Sequence, residues 1–230
     1  MTEIDGGLGR INFEAAPLRM RIIDSMRGAI EQGVLKPGER LVEKDLCEQL
    51  GVSRTSLREA LRELEAEGVI AQLGARGLTV VKIERRDADN IYRIRADLEA
   101  LIFQQFLENA TDAQVTEAAT QCDRIIASYE AGEFLPIVEA KRRFYAFICE
   151  VARNQIALEL LQRLTLRTAQ LRRQSVVRKE RQAQSIREMT ALRDALKARD
   201  ADATRSIARS HVEHAAVSAL AFVDGRTSSS

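Results

Sequence analysis

Between Asp87 and Val223 the chain repeats the three- and four-residue apolar spacing of amphipathic helices, and Pro136 is the only proline in that span. Proline removes a backbone donor and clashes with the preceding turn, so so long a stretch with so few breakers predicts packed helices. The start signals have a mechanism. Thr111-Asp112-Ala113-Gln114 and Ser185-Ile186-Arg187-Glu188 match the capping box, in which a hydroxyl and a side chain three residues on satisfy free backbone N–H groups. Pro136 sits where a first-turn proline is tolerated. The expected helices cover 87–108, 112–131, 136–152, 155–174, 182–199 and 201–223, an antiparallel bundle of about six. The closing Gly-Arg-Thr-Ser-Ser-Ser at 225–230 reads as a disordered tail.

The N-terminal third has a different grain. A helix over 18–32 places Leu18, Ile22, Met26 and Ile30 on one stripe, with Gly33 as a left-handed stop. Pro37-Gly38 makes a turn, a short helix fits Glu43 to Leu50, and Gly51-Val52 leads into a third helix at Ser53. After Gly68 the period changes to two β-favouring runs, Val69 to Leu73 and Leu78 to Ile83, joined by Gly74-Ala75-Arg76-Gly77, which predicts a β-hairpin. The charged run 84–89 reads as a linker. A length of 230 residues fits two domains at about 100 to 200 residues each. The expected division is an arm over 1–16, a helix-turn-helix domain with a hairpin wing over 17–83, a linker over 84–89, the all-α bundle over 90–224 and the tail.

The third helix, in the stretch Gly51 to Gly68, divides by charge. At about 100° per residue, Leu57, Ala60, Leu61 and Leu64 share a core face. Ser53 is a good N-cap, Ser56 stands where a capping box has Glu or Gln, and Arg54, Thr55, Arg58 and Arg62 project elsewhere. Hydroxyls, arginines and free N–H groups at a helix start suit an anion. Glu59, Glu63, Glu65 and Glu67 follow and would repel one. With a formal net charge of +1, affinity for nucleic acid has to come from such a local patch.

Several classes are excluded or disfavoured. No apolar run approaches the roughly 20 residues that span a bilayer, and the first residues lack a signal-type apolar stretch, so a cytoplasmic protein is expected. Cys47, Cys122 and Cys149 form neither a disulfide framework nor a C-x-x-C motif and read as buried thiols. No P-loop, G-x-S-x-G, H-E-x-x-H or G-x-G-x-x-G motif occurs. Lys141, Tyr145 and His211 could do acid–base work in a helical cavity, but nothing else argues for an enzyme.

The span Ala29 to Val81 resembles the winged-helix domain of GntR-family transcription regulators. The likeness includes the turn Gly33-x-Leu35-x-Pro37-Gly38-Glu39-Arg40-Leu41, the segment Gly51-Val52-Ser53-Arg54-Thr55-x-Leu57-Arg58-Glu59-Ala60-Leu61 and the glycine-flanked wing. By matching positions, the resemblance implies DNA contacts at Lys44, Ser53, Arg54, Thr55, Ser56 and Arg58, with Gly74 and Arg76 in the wing. Hydroxyls and helix-end N–H groups set register on phosphates, and an arginine reads guanine O6 and N7 bidentately, which makes Arg54 and Arg58 the base-reading candidates. Arg76 suits the minor groove. Val42 departs from the pattern, because many members carry a hydroxyl cap there.

The remainder resembles the all-helical FCD domain of the FadR-like branch, through Arg95-x-x-Leu98-Glu99, Phe144, Asn154, Ala195-Leu196, Asp200 and His211. The wing and helix count look nearer to the vanillate-regulator-like subgroup than to the acyl-CoA-binding one. Many FCD domains hold a divalent metal with an Asp and His residues. The matching positions here are Lys141, Tyr145, Met189 and His211, so the expected metal and cofactor content is none. Lys141 and Tyr145, one helical turn apart, could join Arg95 and His211 in a donor-rich cluster for a small organic acid. Alternatively, Lys141 and Arg95 are solvated or paired with a residue such as Glu99. The resemblance implies a homodimeric repressor on palindromic double-stranded operator DNA, released by a small-molecule effector, with no membrane partner. An activator, or a DNA-binding protein with an effector-blind bundle, is the alternative.

Overall fold

The computed structural model describes residues 15–74 and 77–223. Most of the expected arm, Arg76 at the wing tip and the closing tail segment lie outside the described residues. Among them, ten helices and one hairpin follow in order. The head comprises α1 (Ala15–Glu31), α2 (Glu43–Leu50), α3 (Arg54–Ala66), β1 (Ile70–Gln72) and β2 (Leu78–Val80). The bundle comprises α4 (Arg85–Asn109), α5 (Asp112–Ala131), α6 (Phe134–Val151), α7 (Gln155–Arg167), α8 (Ala169–Val176), α9 (Lys179–Lys197) and α10 (Ala201–Leu220).

The head closes on the faces that the apolar spacing marks out. Ile22, Ile23, Met26 and Ile30 of α1 pack against Leu57, Ala60, Leu61 and Leu64 of α3, whereas Leu18 at the head of the expected stripe is exposed. Gly33 (φ +71°) lets the chain leave α1, and Gly51 (φ +65°) makes the turn between α2 and α3, a left-handed backbone that side chains resist. The hairpin is antiparallel, with Ile70 opposite Val80, and is shorter than the β-favouring runs because Ile70 and Val80 carry its buried face. Arg40 bridges Thr79, adding a third piece of extended chain.

In the bundle α4 lies against α10, α6 and α7, while α5 pairs with α9 and α6. Phe103, Phe106, Phe144, Ile125 and Ile148 fill the centre, with the rings of Phe103 and Phe144 5.7 Å apart. Truncating either ring to alanine would cost about 3 to 5 kcal/mol.

Three local expectations change. The helix expected over 155–174 breaks at Thr168, whose backbone sits at φ −103°, ψ 11° and whose hydroxyl donates to the carbonyls of Leu164 (3.2 Å) and Thr165 (3.3 Å). That local bond competes with helix continuation, so the bundle has seven helices where about six were expected. The capping box at Ser185 does not form: α9 already begins at Lys179, and Ser185 is buried in mid-helix with its hydroxyl unpartnered. Glu188 has stronger partners across the bundle, described below. Finally, α4 starts at Arg85, so nearly all of the charged run 84–89 is the first turn of a helix.

Head and bundle touch through α7 and α8. Leu166 of α7 is buried in the head's own core. The Gln170 amide donates to the carbonyls of Ile30 (2.6 Å) and Leu35 (3.2 Å), and Arg172 Nη2 lies 2.8 Å from Glu31 Oε1. A helix leaves its last carbonyls without intrahelical donors, and Gln170 supplies one to α1.

Candidate DNA-reading surface and effector site

The first turn of α3 stands clear of the head. Ser53 is its N-cap: Oγ accepts the Ser56 N–H at 3.2 Å and lies 3.0 Å from Ser56 Oγ. Two hydroxyls therefore share one end of the helix, and Ser53, Arg54, Thr55 and Arg58 are all exposed. Lys44 is exposed on the neighbouring α2, held loosely by Glu48 at 3.9 Å. As the sequence departure implied, Val42 offers no side-chain cap to α2. Gly74 adopts φ +48° at the wing turn; Arg76 lies outside the described residues.

The acidic rear of α3 is mostly engaged with the head. Glu67 is buried and paired with Arg27, Glu63 lies 3.7 Å from Arg19, and Glu65 accepts the Gln72 N–H at 3.3 Å. One acid sits at the front instead. Both carboxylate oxygens of Glu43, on α2, take up Arg58 Nε, at 3.1 and 2.9 Å. Sequence reasoning missed Glu43 because its partner is on the next helix, and no periodicity links the two.

Inside the bundle the expected effector residues fall into two groups, the first buried and the second part-buried. In the first, Glu99 accepts Arg95 Nη2 at 2.9 Å with one oxygen and the Tyr145 hydroxyl with the other. The Arg95 and Glu99 side chains are only 8% and 0% exposed, so this ion pair is out of water. Burial opposes the Arg95 charge, but the adjacent Glu99 more than offsets it and raises the guanidinium pKa. Burial also holds the Tyr145 phenol neutral, with Glu99 adding to the effect. Arg95 Nε has no partner, and the guanidinium lies 5.4 Å from the centre of the Tyr92 ring.

In the second group, Lys141 Nζ lies 2.8 Å from His211 Nε2. An ammonium can only donate, so Nε2 accepts and the proton sits on Nδ1, which donates to Glu188 at 2.6 Å. Arg181 donates to Glu188 at 2.9 Å and to the His211 carbonyl at 3.2 Å, while His214 Nδ1 reaches the other Glu188 oxygen at 2.7 Å. Burial, with Lys141 alongside, pushes the His211 pKa down to about 3. Burial works against the Glu188 charge, but hydrogen bonds from His211 and Arg181 carry its pKa down to about 2. Met189 belongs to the apolar core and has no polar role there.

Lys141 and Tyr145, although one turn apart, thus serve different partners, the His211 imidazole and the Glu99 carboxylate. The residues do not suit a divalent metal. The imidazole lone pair it would need is taken by an ammonium, the Tyr145 hydroxyl is committed to Glu99, and a thioether is a poor ligand for a hard cation. Arg181 was not singled out from the sequence, and Glu188 only as the end of a capping box. Their seven-residue spacing on α9 puts both on its inward face, but only the fold brings His211 between them.

Comparison with known proteins settles the family. Residues 18–80 match the model of bacterial regulatory proteins of the gntR family, and residues 90–214, more than half of the chain, match the FCD domain model. The chain belongs to the GntR family and carries an FCD domain. This GntR-family chain is 31% identical over 150 residues to the HTH-type transcriptional regulator McbR of Escherichia coli K12, covering 65% of this chain and 68% of McbR. It is 29% identical over 171 residues to the Glc operon transcriptional activator of Escherichia coli K12, covering 66% and 67%. The solved structure of Escherichia coli McbR/YncC superposes with a TM-score of 0.76 at 26% identity, covering 92% of this chain and 99% of that one. The GntR-family protein is accordingly a transcription regulator with a helix-turn-helix head and an FCD bundle, and not an enzyme.

Proposed function

We propose that this regulator is a homodimeric repressor whose paired heads bind a palindromic operator and whose bundle releases DNA on binding a small organic acid. The observation that carries the effector class is the charge of the polar groups inside the bundle. Arg95 is balanced by Glu99, but in the second group Lys141 and Arg181 are cations, Glu188 is the carboxylate and His211 is neutral, so one positive charge is uncompensated there. A monoanion beside Lys141 balances that charge. The docking of α7 and α8 on α1 supports a route by which a change in the bundle reaches the DNA-reading helix. An effector acts only through unequal affinity for the two arrangements.

Exposed Ile94 and Leu101 on α4 and Ile156 and Leu160 on α7 support a dimer, because large apolar side chains left in water favour a partner surface. The head supplies the rest of the reading: Arg54 and Arg58 read base edges, Lys44, Ser53, Thr55 and Ser56 hold phosphates, and Gly74 brings the wing backbone close, with Arg76 in the minor groove.

The deciding experiment is a thermal-shift screen of small mono- and dicarboxylic acids, followed by gel-shift release of a duplex selected by the protein itself. A monocarboxylate should raise the melting temperature and release DNA, and Lys141→Ala should lose both responses while binding DNA as before. No shift from any acid would make the bundle effector-blind. An acid that tightens DNA binding would favour activation, which the naming of one relative as an activator keeps in view.

A further inference from the structure

The pairing of Glu43 with Arg58 is unusual for its place. An acid in the first turn of a helix ordinarily serves that helix's own N–H groups. Glu43 is the first residue of α2, yet it reaches α3 and puts both oxygens on one nitrogen, Arg58 Nε. The two Nη groups remain, and they are sufficient to donate to guanine O6 and N7. Arg54, the other base-reading candidate, has no ion-pair partner among the described residues.

We infer that Glu43 is a specificity-determining residue, which acts through Arg58 and against phosphate. Its first effect is positioning. A long, flexible arginine tied at Nε presents its outer edge in one orientation and loses less freedom when it meets a base. Its second effect is discrimination. Binding to random DNA is carried by phosphate contacts, and a carboxylate at the reading surface weakens that mode for every sequence. On a matched site the cost is offset, because Arg58 held by Glu43 gains its base contact. Glu43 therefore lowers affinity for random DNA while supporting affinity for the operator, and widens the ratio between them. The side chains are 62% and 31% exposed, so the pair contributes little to folding and its removal leaves the head intact.

This inference rests on the reading of α3 as the base-reading helix, and the test separates the two. The full-length protein selects its preferred duplex from a random pool; that duplex and an unselected one are then titrated with wild type, Glu43→Gln, Glu43→Asp, Arg58→Ala and the Glu43→Gln/Arg58→Ala double variant. Glu43→Gln should bind the unselected duplex about twofold or more tightly, with a salt slope steeper by about one. Its preference for the selected duplex should fall about tenfold, at the same base pair as for Arg58→Ala. The double variant should lose no more preference than Arg58→Ala alone, because one residue acts through the other. Glu43→Asp, which keeps the charge, should keep the weak binding to unselected DNA. If Arg58→Ala loses preference and Glu43→Gln does not, the role of Glu43 is refuted while the base-reading helix stands. If Arg58→Ala keeps full preference, the reading of Arg58 fails and the inference with it.

Discussion

Arg172 of α8 and Glu31 at the end of α1 form a 2.8 Å ion pair across the boundary between bundle and head. Burial opposes the Arg172 charge, Glu31 supports it and the like-charged Arg95 opposes it again. The pair therefore lies within electrostatic reach of the buried polar groups on one side and the DNA-binding domain on the other. Arg172→Met keeps the bulk and removes the charge. It should raise amide exchange over residues 28–32 by up to about fivefold, the equivalent of about 1 kcal/mol for a part-exposed pair. Exchange-mass spectrometry showing no change there would mean that Gln170 and Leu166 hold the boundary without it.

Glu99 sits between Arg95 and Tyr145 with no solvent to replace it. Glu99→Gln should destabilise the protein by about 3 to 5 kcal/mol, since it leaves a buried guanidinium uncompensated. The double variant Arg95→Met/Glu99→Leu removes both charges and should recover most of that loss. Urea unfolding midpoints measure both; a Glu99→Gln midpoint equal to wild type would show that water reaches the pair.

Arg54→Ala should abolish discrimination between the selected duplex and random DNA while retaining part of the phosphate-driven binding. Gel-shift titration on both duplexes decides the matter. Equal discrimination by wild type and variant would remove Arg54 from the reading surface.

Acid should destabilise the protein in two stages. The folded pKa of His211, about 3, lies below its ordinary 6.5, so the unfolded chain takes up that proton first and stability falls as pH drops below 6.5. Glu188, at about 2 against an ordinary 4.5, adds a second loss between 4.5 and 2. Lys141, Arg181 and His214 face the same groups, so protonating His211 would place another cation among them. The urea midpoint should decline between pH 6.5 and 4.5 in wild type and be nearly flat there in His211→Gln. A flat wild-type profile would mean that His211 titrates as an exposed histidine.

The head was legible because each of its signals is local. Ser53, the glycine turns and the leucine face of α3 act within a few residues, and Ser53 caps α3 as its type and place require. The Thr111 capping box formed for the same reason. The Ser185 box failed because Glu188 had partners on α10 that no local pattern records. The effector residues were legible as types but not as partners. Lys141 and Tyr145 share a face of α6, yet which partner each meets, the His211 imidazole or the Glu99 carboxylate, depends on how α4 and α10 pack around them. Glu43 was invisible for a related reason: its partner lies across a tight turn on another helix.

Leu166 has a consequence for anyone who would reuse this head elsewhere. It belongs to the chain of the bundle but fills the core of the head. A fragment cut after the wing therefore carries an open socket, and a chimera that grafts the head onto a foreign sensor inherits the same defect. Transplanting α7 and α8 with the head, so that Leu166 and Gln170 travel together, supplies the missing plug. The practical seam of this molecule runs through its sensor, well away from the join that the order of domains suggests.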